Sequence, residues 1–598
     1  MPVSRRAAIR HLTAAGAGLA IAPAIIRGQS PITVAGRPVE ISIAPVSRST
    51  VRISVRPIVN GKPQSIVNRG ALVAAAEQRV ASGDLMVRVL EGASPSIVIT
   101  RAGRPVQTIT LDRDDATVSF AIGGAPIFGL GEGGPQFDRR GMAFPSRNGQ
   151  GGYQLRTHGG RVPIQWLVSP AGWGLYVHQP LGSFDLIGSL GRFMSSSDAL
   201  PLDVFVVGSD DPKTIIGEYS RITGYAELPP LWSFGYMQSH RTLAGPDEIN
   251  WVARTFREKK LPCDALIYLG TEFTPSGWNT RNGEFGWKPE NFPDPKQFIG
   301  EMHAQHYKVV LHIVIEGQRM GGAVADQCTP DKAVPSGRTP DDQWPADRAV
   351  PCYWPYHKPA FDLGVDGWWP DQGDGLDAAS RLARIRMYWE GPQLWRPNER
   401  PFALHRNGSP GMQRYGAFLW SGDVYSTWET LATHVPVAIN TGLSGIPFWG
   451  TDIGGFVPTA EYTGELHVRW FQFGTFNPLF RSHGRSWQLR LPFGWNRGTV
   501  GISEWAGYGG GAGDPPPEAL RDERVEPICR KYLELRYRLM PYLYSAVREC
   551  AETNLPIIRS MWLHYPDDPI AVARLNDHVR ARVQGLVRKA LELRGSPF

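Results

Sequence analysis

The sequence predicts an α/β chain of two main domains, an antiparallel β-sandwich followed by a (β/α)8 barrel of the TIM type. Three observations predict it. The chain has 598 residues, more than one core organises, so two or three domains are expected. Residues 31–228 read as short strand-like runs separated by turn residues, with no long helical period. Over residues 229–555, short apolar runs alternate with amphipathic helical stretches.

The elements follow in order. In residues 1–30, Ser4-Arg5-Arg6 precedes an Ala/Gly-rich apolar run from Ala14 to Ile26, with small-residue cleavage sites near Ala20 and Ala24. That is the pattern of a twin-arginine export signal, and it places the mature protein in the periplasm or outside the cell. An uncleaved membrane anchor is the alternative. The run is too short to span a bilayer and no other segment is long and apolar enough, so no stable membrane span is expected. The sandwich strands are expected at Val51–Val59, Leu85–Leu90, Ser96–Arg101, Gln107–Asp112, Ala116–Ile122, Gly174–Val177 and Leu202–Val207. The glycine-rich stretch Phe128-Gly129-Leu130-Gly131-Glu132-Gly133-Gly134 lacks the strand-to-helix setting and lysine of a phosphate loop and reads as a close-packed turn.

The barrel strands are expected at Trp232–Met237, Ala265–Leu269, Lys308–Val314, Gly367–Trp369, Phe402–Leu404, Ala417–Trp420, Ile446–Trp449 and Pro478–Phe480. Helices are expected at Asp247–Lys259, Pro295–Gln305, Asp377–Trp389 and Tyr425–Asn440. Residues 316–359 are polar, rich in Pro and Asp, and too long for an ordinary barrel loop; they read as an insertion above the C-terminal face. Residues 556–598 form a short tail. Within it Val572, Leu575, Val579, Val583, Leu586, Val587 and Ala590 give the period of a basic amphipathic helix.

Composition narrows the partners. The net charge is +7, but its excess lies in Arg5, Arg6, Arg10 and Arg27 and in the last two dozen residues, so the body offers no basic surface for nucleic acid. Twenty Trp with abundant Gly and Pro suit aromatic surfaces that stack on the flat C–H faces of sugars. The cysteines Cys263, Cys328, Cys352, Cys529 and Cys550 show no metal spacing, and no ligand cluster suggests a cofactor. Cys328 and Cys352 bracket the insertion and are either a staple or two free thiols.

In a barrel of this type, chemistry sits at the C-terminal strand ends. Asp371 and Asp423 fall there, each closing an apolar, tryptophan-containing run. Two such carboxylates are what glycosidic cleavage needs, one to attack the sugar and one to handle the proton. The plainer reading is that each caps a turn or a helix. Arg406, Asp452 and His483 also fall at strand ends. For them the plain alternatives are a structural ion pair, a cap in a Gly-rich turn and a satisfied core imidazole.

From Phe128 to Asp568 the chain resembles glycoside hydrolase family 31, the family of α-glucosidases and α-xylosidases. The resemblance rests on motifs in order: Phe128-Gly129-Leu130-Gly131-Glu132, Pro230-Leu231-Trp232-Ser233-Phe234-Gly235-Tyr236, Asn291-Phe292-Pro293-Asp294-Pro295, Gly367-Trp368-Trp369-Pro370-Asp371, Trp420-Ser421-Gly422-Asp423, Gly450-Thr451-Asp452-Ile453-Gly454-Gly455-Phe456 and Arg481-Ser482-His483-Gly484. It implies Asp371 as nucleophile and Asp423 as general acid/base. It implies Arg406, Asp452 and His483 as sugar-binding residues, with Trp420 and Trp449 walling the cleavage subsite. Asp374 is either a supporting carboxylate or a solvent-facing one. The implied activity is retaining exo-hydrolysis of terminal α-linked sugars, of α-glucosidase type or else α-xylosidase or α-galactosidase. The substrate would be an oligosaccharide or glycoside, with no cofactor. The different-class alternative is a non-catalytic carbohydrate-binding protein on the same barrel. Three departures stand out. Leu269 stands where the family often has an Asp that grips the terminal sugar, with Glu272 nearby as a substitute. The loop between Arg406 and Asp423 is about one residue longer than usual. Beyond Asp568 the family continues into β-sandwich domains, where this chain has the amphipathic tail.

Overall fold

The structure, a computed structural model, describes residues 24–26 and 32–573. Outside the description lie a few single positions and segments 145–155, 196–198, 241–245, 271–276, 281–282, 315–348 and 497–520. The N-terminal part holds two antiparallel sheets, of nine and seven strands. Thr50–Val59 sits inside the first, between Arg37–Pro45 and Leu202–Gly208. Leu85–Leu90 and Ser96–Arg101 pair in the second. Alternation along these strands sends every second side chain inward. Ile53 and Val55 of one sheet and Ile97, Ile109 and Phe120 of the other share one buried cluster. Ala24–Ile26, the end of the apolar N-terminal run, pairs with the Arg37–Pro45 strand.

One element departs from the expectation of strands alone before residue 228. Pro212–Thr223 is a helix, capped by Asp211 accepting from the N–H groups of Lys213 and Thr214 and started by Pro212. Its apolar stripe, Ile215, Ile216, Tyr219 and Ile222, joins a cluster with Trp166, Leu443 and Ile446, which seats the barrel on the N-terminal domain. A single short helix among strands carries too little period to stand out.

The barrel forms as expected. Its strands are Tyr236–His240, Ala265–Tyr268, Lys308–Val314, Gly367–Asp371, Leu404–His405, Phe418–Trp420, Trp449–Gly450 and Phe480–Ser482. The first four and the eighth make one sheet, and the other three make a second. Parallel bridges Trp368↔Ala403 and Asp452↔Arg481 join the two and close the ring. The expected run Trp232–Met237 splits into a 3-10 turn, Leu231–Phe234, and the start of the first strand. The last long helix, Val525–Thr553, is tied to the ring by Arg536, whose guanidinium donates to the carbonyls of Phe234, Thr475, Asn477 and Pro478 at 2.6–2.9 Å.

The expected insertion is shorter than its composition suggests. Ala349–Asp362 is a helix of the barrel wall, with buried Trp354 stacked on His357 at 5.2 Å. Pro355 and Pro359 inside it hid the helical period. The remainder of the insertion, with Cys328, lies outside the described residues, as does the Cys352 side chain. After Thr553 the chain returns to the N-terminal domain, where Trp562 packs on Phe128 at 5.7 Å. The helix Pro569–Ala573 ends the description; it packs Val572, the first residue of the expected amphipathic period, against the Trp166 cluster, and the rest of that period lies outside the described residues. No helix among the described residues is long and apolar enough to cross a membrane.

Candidate active site

Asp371 ends the fourth strand, paired with Val314 of the third. Its Oδ1 is ion-paired to Nη1 of Arg406 at 3.0 Å and accepts from the Gln372 N–H at 2.7 Å. Its Oδ2 meets Nε2 of His312 at 3.3 Å. Burial alone would raise this carboxyl, but the Arg406 charge first, then His312 and the Gln372 N–H, outweigh it and hold it well below the usual carboxylate range. The turn behind it is strained and braced. Gln372 has φ +56°, a region that non-glycine residues rarely adopt. Its carbonyl accepts from Arg384 and Asn407, both at 2.8 Å, while the Asp371 carbonyl accepts from Arg384 at 2.6 Å. Arg406 also grips Asp374 at 2.7 Å. The buried guanidinium therefore bridges two carboxylates, which together raise its own pKa despite burial.

Asp423 follows the sixth strand by way of Gly422, whose φ of +76° turns the chain. The loop is anchored from both sides. Ser421 Oγ donates to Thr451 at 2.9 Å. The Gly160 N–H donates to the Ser421 carbonyl at 2.7 Å, and the Tyr425 N–H to the Arg156 carbonyl at 2.8 Å. A segment of the N-terminal domain thus holds the loop that presents Asp423. Asp423 is half-buried, and its charge is felt at Arg406, Asp452 and Arg481.

Asp452 is fully buried and ion-paired to Arg481, with Oδ2 left without a hydrogen-bond partner among the described residues. Burial pushes its pKa up to about 7 against the pull of Arg481, and the Asp423 charge adds to the rise. The Arg481 guanidinium lies over Trp369 at 4.3 Å and Trp420 at 5.3 Å. Trp369 meets Trp420 at 5.2 Å and His483 at 4.9 Å, both edge-on, and His483 stacks on Phe456. Asp371, Arg406, Asp423, Asp452, His483 and Trp420 therefore come together at one rim.

Trp449 does not join them. It packs on the outer side of its strand, 5.9 Å from His434, and donates from Nε1 to Glu132 at 3.0 Å. The inward residue of that run is Phe448, in the barrel cluster with Trp369 and Trp420. Leu269 is buried in the same cluster, so an apolar side chain occupies the second strand end. Glu272 lies outside the described residues. Cys263, Cys529 and Cys550 are buried free thiols. Among the described residues, no group of three or more His, Cys, Asp or Glu side chains could hold a metal ion.

Sequence reasoning missed His312, Trp369 and Arg481. Each is a polar or outsized side chain buried within a barrel strand: Lys308–Val314, Gly367–Asp371 and Phe480–Ser482. A buried imidazole or guanidinium needs a partner, and that was the available signal.

Comparison with known proteins agrees with this geometry. The glycosyl hydrolases family 31 TIM-barrel domain matches residues 226–546, more than half of the chain. The chain belongs to glycoside hydrolase family 31. An alpha-xylosidase of Saccharolobus solfataricus is 29% identical over 436 residues, covering 68% of this chain and 55% of that protein. Alpha-glucosidase 2 of Bacillus thermoamyloliquefaciens is 30% identical over 433 residues, covering 64% and 50%. The family 31 chain thus spans about half the length of these curated relatives. Among solved structures, a xylosidase from Aspergillus niger superposes with a TM-score of 0.72 at 18% identity, covering 95% of this chain and 89% of that one. A family 31 dextranase of Flavobacterium johnsoniae gives 0.69 at 22% identity, covering 92% and 72%. At these identities the structural likeness speaks for the fold alone.

Proposed function

We propose that the chain is a retaining exo-α-glycosidase that removes terminal α-linked sugars, of α-glucosidase type, with α-xylosides and α-galactosides as the alternative substrates. One observation carries this reading. Asp371 is held ionised by Arg406 and His312 at one strand end. A second carboxylate, Asp423, stands on the same rim. An ionised carboxylate cannot start as the acid but is ready to attack, so Asp371 takes the nucleophile's part. Asp423 takes the proton's. In the first step the Asp371 carboxylate bonds to the anomeric carbon while Asp423 gives its proton to the departing oxygen. In the second, Asp423 takes a proton from the water that releases the sugar. Arg406 steadies the nucleophile, Trp369 and Trp420 wall the subsite, and Asp452 offers an oxygen to a sugar hydroxyl. We also propose that residues 1–30 direct the protein into the periplasm by the twin-arginine route.

The test is turnover of a nitrophenyl glycoside panel and of unactivated disaccharides. Asp371→Asn and Asp423→Asn are each expected to lower kcat by about a thousandfold or more on a disaccharide, with the fold intact by circular dichroism. Near-normal disaccharide turnover by either variant contradicts the assignment. A wild-type chain that binds sugars and cleaves none would favour the non-catalytic reading.

A further inference from the structure

The two oxygens of Asp371 are not equivalent. Oδ1 is engaged by a guanidinium and a backbone N–H at 3.0 and 2.7 Å. Among the described residues Oδ2 has one longer contact, to Nε2 of His312 at 3.3 Å. An oxygen that carries both the ion pair and a backbone hydrogen bond is the poorer nucleophile, so the less engaged Oδ2 is the one positioned to attack.

His312 is built into place. It is 2% exposed, on the third strand, with its ring edge-on to Trp369 at 4.4 Å. Its Nδ1 lies 3.3 Å from the N–H and 3.2 Å from the carbonyl of Gly270, on the turn after the second strand. Three proton arrangements are open to an imidazole. The neutral ring with the proton on Nε2 accepts from the Gly270 N–H and donates to Asp371. The cation donates to the Gly270 carbonyl and to Asp371. The neutral ring with the proton on Nδ1 would turn a bare lone pair toward a carboxylate, which is repulsive. Both favourable states put an Nε2–H on Oδ2. Among the described residues the neighbouring strand end carries apolar Leu269, so the imidazole supplies the polar contact to Oδ2 there.

Resting on the reading of Asp371 as nucleophile, we propose that Oδ2 is the attacking oxygen and that His312 is a positioning residue that orients it through Nε2–H. In the first step the Oδ2 lone pair forms the bond to the anomeric carbon, and the bond to the leaving oxygen breaks as that oxygen takes its proton from Asp423. His312 transfers no proton. Its N–H steers the carboxylate before attack.

Two substitutions separate steering from packing. His312→Phe keeps the ring against Trp369 and removes the donor, whereas His312→Gln keeps an N–H donor of similar reach. His312→Phe is expected to lose about tenfold to a hundredfold in kcat/KM. The loss should be by similar factors for dinitrophenyl and alkyl glycosides, because the nucleophile rather than the acid is affected; His312→Gln should recover most of it. A second readout needs no turnover. Carbodiimide and an amine modify a carboxyl in proportion to its protonated fraction, so peptide mapping at mildly acidic pH reports the Asp371 environment directly. Asp371 should be modified about tenfold faster in His312→Phe than in the wild type, and near the wild-type rate in His312→Gln. Equal effects of the two substitutions, or unchanged modification of Asp371 in His312→Phe, overturn the proposal. Wild-type inactivity over the whole panel would count against the proposed function instead and leave the carbodiimide result to decide the role of His312.

Discussion

Leu269 bears on the proposed sugar pocket. It is buried beside Trp369 and Trp420, where it can accept no hydrogen bond. A sugar hydroxyl buried against it without a partner costs about 1–3 kcal/mol, or roughly tenfold to a hundredfold in binding. The protein is therefore expected to depart from simple maltose preference unless Glu272 or the segment after the third strand supplies the contact. Hydrolysis rates on maltose, isoprimeverose and melibiose check this. Strong, selective maltose cleavage that survives Glu272→Gln contradicts it. At this scale the sequence made much of the site legible: Asp371, Asp423, Arg406, Asp452 and His483 sit in motifs at strand ends and meet at one rim. Trp449 was misplaced because successive strand residues face opposite sides, and Phe448, not Trp449, points inward. His312 and Arg481 were given no role because a buried polar strand residue reads as core until its partner is known.

At the scale of elements, the N-terminal ends of the third and fourth strands are pinned by Asp366. Its carboxylate accepts from Lys308 Nζ and His303 Nε2, both at 2.8 Å, and from the Val309 N–H at 2.9 Å. Burial opposes ionisation here, but His303, Lys308 and the backbone N–H outweigh it and lower the pKa. A depressed carboxyl contributes stability above its unfolded pKa and loses it as the pH falls through the folded value. Lys308 and His303 are partly exposed and screened, so Asp366→Asn is expected to cost about 1–2 kcal/mol at neutral pH. The gap to the wild type should be full above about pH 5 and close below about pH 4. Denaturant melts across that range check it; a gap that widens on acidification contradicts it. Element type was readable from period over much of the barrel, and Lys308–Val314 matches the expectation at both ends. Helices broken by proline or standing alone among strands, Ala349–Asp362 and Pro212–Thr223, were not, because their period is short or interrupted.

For the whole molecule, two domains share one site. The barrel carries the carboxylates, and the N-terminal domain reaches over at residues 156–160 to hold the loop of Asp423. Packing of the barrel on the N-terminal sheets through Trp166, Tyr219 and Leu443 therefore fixes the Asp423 loop as well as the architecture. No sequence period reports such a contact, because its partners are far apart in the chain. The proposed export has its own check. Changing Arg5 and Arg6 together to Lys should leave the precursor in the cytoplasm on fractionation, whereas undiminished export would point to a general secretion signal or an anchor. The central claim, retention through a glycosyl-enzyme on Asp371, is tested most directly by proton NMR of the sugar first released from an α-glycoside. The account predicts the α-anomer, followed by slow mutarotation; a first-formed β-anomer would mean direct attack by water and would contradict the nucleophile's role.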